Sequence, residues 1–294
     1  MNPEKGSVDV AVSAYGKPYQ TAVTLLTLMK HSGQWIDKIY FVEEKKQPEI
    51  VSYKFLYKIF TGRIIRYKPL FWFAYDRIGT KLRRIGVYRR AIRYQYAWEK
   101  TNKKYLLLIH NDMYFKDDLV GQYLMNIGDH TGIGKVGQCW NCPAHSAGRC
   151  SGENYLQYRP DYNEIMEMSA QYPGPRSPVY EAYIDRNTPW PLPECRLNEY
   201  VSMINIKKAR PATAPFGKAT PIGSNNAIDT GVEWFRDVSR MGHTFRHFDY
   251  EPYATHSWVS LRNSGHEALF NSELYKYEES VALQCLMDEF NYKP

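Results

Sequence analysis

The stretch Tyr105-Leu106-Leu107-Leu108-Ile109-His110-Asn111-Asp112-Met113-Tyr114-Phe115 sets the reading of this chain. Five apolar residues in a row, bounded by polar ones, suit a strand buried on both faces. Such a strand delivers His110, Asn111 and Asp112 at its carboxyl end, the edge where ligands of open α/β sheets collect. A carboxylate at that edge can hold a hard divalent cation, which in turn binds a diphosphate. The competing reading is a loop aspartate that caps the next turn.

Upstream, Val8–Ala14 (VDVAVSA) reads as a strand and Tyr15-Gly16-Lys17-Pro18 as a turn. The run after it suits a helix ending at Gly33, with Ala22, Val23, Leu25, Leu26, Leu28 and Met29 as its apolar positions. Ile36–Val42 is a second strand, followed by Glu43 and Glu44, and residues 63–68 form a short third one. A helix is expected over about 82–102. This alternation predicts an α/β fold with a mostly parallel central sheet flanked by helices. Beyond 112 the texture is irregular: Gly-, Cys- and Pro-rich over 132–160, and Pro-rich over 172–195. A strand follows at 200–206, then a helix from near Asp229 and a last helix over about 272–290. With no repeat or clean linker, one domain over 1–294 is the economical expectation, its halves meeting near 112.

The 294 residues hold 38 Lys and Arg against 31 Asp and Glu, a net charge of +7. Residues 77–93 contain Arg77, Lys81, Arg83, Arg84, Arg89, Arg90 and Arg93 and no acid. Without those seven the chain is balanced, so its basicity is one local feature. On a helix, Arg89, Arg90 and Arg93 fall within one ~100° arc, opposite Tyr88, Ala91, Ile92 and Trp98. The arginines then face outward, to clamp a diphosphate, to meet an anionic membrane, to bind nucleic acid through the basic-aromatic span 54–104, or merely to be solvated. No apolar run reaches the ~20 residues of a membrane span, and the first residues lack the core of an export signal. A cytoplasmic protein with reduced thiols is expected. Disorder and collagen-like repeats are excluded by ordinary hydrophobic and charged fractions of 44% and 23%.

Cys139 and Cys142 form a CxxC, with Cys150, Cys195 and His145 nearby in sequence. Free thiols, a zinc site and a disulfide all remain open, because the spacing fits no standard finger. Gly132-Ile133-Gly134-Lys135-Val136-Gly137 matches GxGxxG by letter, yet neither flank supplies the strand and helix that a dinucleotide fingerprint needs.

Taken together, VDVAVSAYGKP, IDKIYFVEE and YRRAIRYQYAWEKTNKKYLLLIHND resemble the opening strands, helix and DxD-bearing strand of the GT-A glycosyltransferases, especially the family 2-like group. NNAIDTGVEWFRDVSRMGHTFRHF resembles that family's acidic motif, helix and strand, and YATHSW its late histidine. The resemblance implies a GT-A, Rossmann-like nucleotide-binding half and an irregular acceptor-binding half. It implies Mn²⁺ or Mg²⁺ held by Asp112 and His256, with His110 standing where the motif's first Asp would be. Donor contacts would come from Ser13, Ala14, Tyr15, Glu43, Arg90, Asn111 and Asp112. Asp229 would be the catalytic base of an inverting transfer, with Glu199 and Glu233 in reserve; read alone, Asp229 is a helix N-cap before it is a base. The implied activity moves a sugar from a nucleoside diphosphate to a hydroxyl of a glycan or lipid-linked glycan, with peripheral contact to an anionic membrane and no nucleic-acid partner. The alternatives are a non-catalytic nucleic-acid-binding α/β protein and a nucleotidyltransferase; for the latter HND offers one Asp where a metal pair is needed.

Overall fold

The computed structural model describes residues 3–47, 51–71, 84–224, 228–260 and 270–294. Its main sheet has seven strands in the order β3-β2-β1-β4-β7-β6-β8: β1 Val8–Ala14, β2 Ile36–Glu43, β3 Ile64–Tyr67, β4 Tyr105–Ile109, β6 Gly132–Val136, β7 Leu197–Asn205 and β8 Phe245–His247. Strands β3, β2, β1 and β4 are mutually parallel; β7 runs antiparallel to β4 and to β6, and β8 parallel to β6. A two-stranded ribbon pairs β5 Met113–Phe115 with β9 Ala254–His256. The sheet is continuous from β1 to β8 across residue 112, and its α/β, mostly parallel character is the one the sequence predicts.

Both faces of the sheet are covered. Val8, Val10, Val12, Leu107 and Ile109 point into one core. It is filled by helices α1 (Pro18–Ser32), α2 (Lys54–Ile59) and α5 (Leu119–Asn126) and by the C-terminal α11 (Ser272–Phe290). Ala11, Leu106, Leu108 and Ile204 point into the other, with Trp98 and with Trp234, Phe235 and Val238 of α10 (Val232–Arg240). Two covered faces are why β4 is apolar at every position. Helix α1 opens with Pro18 at its first turn and closes at Gly33. Its buried Thr24 and Thr27 bond sideways to β5: Thr24 Oγ1 reaches Met113 O at 2.8 Å, and Phe115 N donates to Thr27 Oγ1 at 3.2 Å.

The helix expected over about 82–102 is broken. Its described part comprises α3 (Gly86–Arg89) and α4 (Gln95–Lys100), separated by a turn in which Tyr94 adopts φ 65°. In one helix Arg89 and Arg90 would stand about 14 Å along the axis from Glu99. The turn folds them together: Arg89 Nε meets Glu99 Oε1 at 2.6 Å, Arg90 Nε meets Oε2 at 2.9 Å, and Gln95 Nε2 donates to Oε1 at 3.0 Å. Arg89 is therefore buried rather than facing outward. Arg93 lies 3.7 Å from Glu44, Arg66 and Lys68 pair with Glu43, and Lys103 with Asp37. Part of the 54–104 charge is thus matched internally; Arg77, Lys81 and Arg83 lie outside the described residues.

Glycine density hid β6 from sequence reading. Gly132-Ile133-Gly134 pairs with Ile204-Met203-Ser202 of β7 and with β8, so GxGxxG is here a strand and not a phosphate loop. A Cβ at Gly134 would lie 3.0 Å from the Ser202 Cβ, so the small residue permits close approach of two central strands. The irregular region also contains helices α6 (Pro143–Ser146), α7 (Tyr162–Gln171), α8 (Ser177–Tyr183) and α9 (Ile206–Ala209). Among the described residues no helix is long and apolar enough to cross a membrane.

Removing one partner of the buried Glu99 pair leaves a desolvated guanidinium. Glu99→Ala is expected to lower the unfolding free energy in urea by about 3 kcal/mol. Arg90→Ala, at a side chain 35% exposed, should cost under about 1 kcal/mol. Equal losses in the two variants would contradict a structural role centred on Arg89.

Candidate metal and nucleotide site

Strand β4 ends at Ile109, opposite Val201 of β7, and His110 N donates to Tyr200 O at 3.0 Å. This one further rung fixes where His110 leaves the sheet. Asn111 and Asp112 then form the turn between β4 and β5, and that turn brings the Asp112 carboxylate back beside the His110 ring. The ribbon supplies the third group: Met113 pairs with His256, and Ser257 N donates to Asp112 O at 2.9 Å. The Tyr200 ring stacks on His256 with centroids 3.8 Å apart. His256 Nε2 stands 3.3 Å from Asp112 Oδ1 and 3.3 Å from His110 Nδ1, and His110 Nδ1 is 4.0 Å from that same oxygen.

Among the described residues, these three form the one group of three or more His, Cys, Asp and Glu whose ligand atoms lie within 4.8 Å of one another. The donor set fits a divalent metal. Two imidazole nitrogens and a carboxylate oxygen converge on one point, and buried Asp112 Oδ1 makes no well-formed hydrogen bond. Two nitrogens with one oxygen suit Mn²⁺ or a later transition ion better than Mg²⁺, which prefers oxygen. Burial works against the ionised Asp112, but Lys17 and the two imidazoles outweigh it and hold the carboxyl well below its usual range. Burial also lowers the His110 pKa, against the pull of Glu199, and so favours the neutral imidazole that ligation needs.

A chain of buried and half-buried charges leads away from this group. His110 Nε2 is 3.7 Å from Glu199 Oε1, Glu199 Oε2 is 3.3 Å from Arg196 Nη1, and Arg196 Nη1 is 3.1 Å from Asp229 Oδ1. Arg176 closes it, with Nη2 2.7 Å from Asp229 Oδ2 and Nη1 3.0 Å from Glu194. Burial raises the Glu199 pKa, but Arg196 and His110 more than offset this and keep it ionised. Asp229 is not a helix N-cap. Helix α10 starts at Val232 behind Gly231, whose φ of 83° suits glycine, and the Asp229 carboxylate turns instead to Thr230 N and the two arginines. Residues 225–227 of the acidic motif lie outside the described residues.

Of the other expected residues, Ser13, Ala14 and Tyr15 follow β1 to the same edge of the sheet, and Ser13 Oγ is buried without a hydrogen-bond partner among the described residues. Asn111 points toward the turn after β1, its Nδ2 3.1 Å from Thr21 Oγ1 and 3.4 Å from Gly16 O. Glu43 is taken by Lys68, Arg66 and Tyr57, which together overcome its burial and lower its pKa. Arg90 is committed to Glu99. The zinc reading is not assembled: the cysteines are free thiols, Cys142, Cys150 and Cys195 are buried, and His145 Nδ1 lies 3.0 Å from Cys150 O. Sequence reading placed His110 at the motif's first position but did not count it in the metal set, where the structure brings it beside Asp112 and His256. It also missed Lys17, Arg176 and Arg196, which no local pattern marks.

No protein-family model matches the chain, and no curated protein sequence matches it. Its shape is similar to a mannosyltransferase of Pyrobaculum calidifontis solved with GDP-Man and Mn²⁺, at 9% identity and TM-score 0.44 over 97% of this chain and 76% of that one. It is similar to core-mannan synthase A of Aspergillus fumigatus in its Mn/GDP form, at 9% and 0.41 over 87% and 77%. It is also similar to mouse xyloside xylosyltransferase 1, at 11% and 0.41 over 82% and 86%.

The His110 environment predicts an acid-sensitive fold. Its native pKa lies below the ordinary 6.5, so the unfolded chain takes the proton first. The stability its neutral form contributes is complete above about pH 6.5 and is lost as pH falls. In chelator, wild-type unfolding free energy should drop between about pH 6.5 and 5 more steeply than that of His110→Asn, by up to about 1.4 kcal/mol per pH unit. Identical slopes would remove His110 as a buried neutral group.

Proposed function

We propose that this protein is a metal-dependent glycosyltransferase that moves a sugar from a nucleoside-diphosphate donor to a hydroxyl of a glycan or lipid-linked glycan. The observation that carries the proposal is the convergence of His110, Asp112 and His256 at the carboxyl end of the central strand β4. Ligands of open α/β sheets bind at that edge, next to the turn after the first strand. The sequence resemblance to GT-A enzymes supplies the reaction class, and the donor set favours Mn²⁺ over Mg²⁺.

In this reading His110, Asp112 and His256 would hold an ion that would supply positive charge to offset the departing diphosphate. The protein's own groups do the rest. His110, kept neutral by burial, and His256 aim their ring nitrogens, with Tyr200 bracing His256. Ser13, Ala14, Tyr15 and Asn111 border the donor. Asp229 faces the acceptor: its Oδ1 already accepts from Thr230 N and lies 3.1 Å from Arg196 Nη1, while Oδ2 accepts from Arg176 and keeps one lone pair for a hydroxyl. It orients the acceptor and takes the proton late, as attack makes the hydroxyl acidic. A single displacement of this kind inverts the anomeric centre.

Asp112→Ala is expected to abolish Mn²⁺ dependence and lower kcat/KM for donor hydrolysis and transfer by on the order of 10³-fold. Wild-type rates in that variant would dismiss the metal assignment. Asp229→Asn should keep donor affinity while transfer drops by about 10²–10⁴-fold. NMR of the product's anomeric proton reads the stereochemistry, and a retained configuration would remove Asp229 from the role of base.

A further inference from the structure

Lys17 is the feature that the proposed chemistry does not yet use. It is a buried lysine in the turn between β1 and α1, and its Nζ lies 2.9 Å from Asp112 Oδ2. Its backbone sits in the left-handed region, φ 53° and ψ 53°, which is costly for a residue with a Cβ. Several contacts hold it there. Lys17 N donates to Tyr275 Oη of α11 at 2.9 Å, and Lys17 O accepts from Thr21 N at 2.9 Å and from Thr21 Oγ1 at 2.6 Å. The flanking Gly16 O accepts from Tyr53 Oη at 2.7 Å. The backbone is thus pinned from α2's entry, α1 and α11 at once, while the side chain remains a flexible four-carbon stem ending in an ammonium.

The ammonium shares the Asp112 carboxylate with the point on which His110 and His256 converge. A divalent ion on Oδ1 repels it about twice as strongly as a single carboxylate charge attracts it at equal distance. The turn that anchors Lys17 is also where a doubly wound sheet brings a diphosphate, beside the start of the helix after β1.

We propose that Lys17 is a resident counter-ion that trades places: it neutralises Asp112 while the metal is absent, and on metal arrival its ammonium transfers to the donor's diphosphate. This rests on the metal site proposed above. By linkage, a nucleoside diphosphate that draws Lys17 away strengthens metal binding by the same factor that the metal strengthens nucleotide binding. Lys17 thereby takes the phosphate-clamping part expected of Arg90, whose guanidinium is spent on Glu99.

The test is titration calorimetry with Mn²⁺ alone, and with GDP or UDP at saturating Mn²⁺, on wild type, Lys17→Gln and Lys17→Arg. Lys17→Gln should bind Mn²⁺ alone about 10-fold more tightly than wild type, within the usual span of linked sites, and the nucleotide about 10-fold more weakly. Lys17→Arg, which keeps the charge, should bind Mn²⁺ like wild type. Equal or weaker Mn²⁺ binding by Lys17→Gln, with wild type still binding, overturns the exchange alone. No Mn²⁺ binding by wild type or either variant overturns the metal site itself. Should Lys17→Gln fail to fold, ¹⁵N NMR of the wild-type lysine ammonium decides. Zn²⁺ saturation is expected to remove the slow exchange of the buried Nζ protons, and protection that persists would show that Lys17 has not moved.

Discussion

Strand β4 pairs parallel with β1 on one side and antiparallel with β7 on the other. Everything at the candidate site follows from that mixed pairing. The parallel side brings the end of β1, with its turn and Lys17, to the end of β4. The antiparallel side brings the beginning of β7, with Arg196, Glu199 and Tyr200, to the same place. One strand end therefore gathers residues from three distant parts of the chain, and the apolar run of β4 secures it by burial on both faces.

The price of this gathering is a set of charges withdrawn from water. Isolated buried ions are strongly unfavourable, and each here has an opposite neighbour: Lys17 with Asp112, Arg196 with Glu199 and Asp229, Arg176 with Glu194 and Asp229. Such pairs add little net stability over apolar packing, but breaking one is expensive. A site built this way has few alternative arrangements. The exception is the point between His110, His256 and Asp112, where three ligand atoms meet and buried Asp112 Oδ1 is left unreconciled, with no well-formed hydrogen bond. Rigidity around one unreconciled point is what a metal site requires.

Helix α11 takes part at a distance. Tyr275 holds the backbone of Lys17, and Glu279 accepts from Tyr19 N and Gln20 N at the start of α1. Burial pushes the Glu279 carboxyl up to about 7, against the two backbone bonds that favour its ionised form. The C-terminal helix thus secures the first turn of the first helix, and with it the Lys17 ammonium beside Asp112.

Most of the architecture was legible in the residues. The periodicity of Val8–Ala14, the continuous run Tyr105–Ile109 and the helix over 272–290 depend on local burial patterns, which sequence carries directly. Asp112 and His256 were legible through motif resemblance, and Tyr105–Asp112 alone marked the sheet edge. Strand β6 was not legible, because its glycines answer to the neighbouring strand β7 and not to any local preference. The arginine helix was misread because Glu99 pulls Arg89 and Arg90 into a bend that no period of 3.6 encodes. Lys17, Arg176 and Arg196 were silent for the same reason. A charge acquires its role from the partner opposite it, and those partners lie 95 residues away for Lys17 and 53 for Arg176. Sequence by itself determined the parallel strands β1, β2 and β4 and the sheet edge at which His110, Asn111 and Asp112 stand, because local burial patterns carry that much. Only tertiary structure decided which charges meet there, because buried ions are paired by proximity in space.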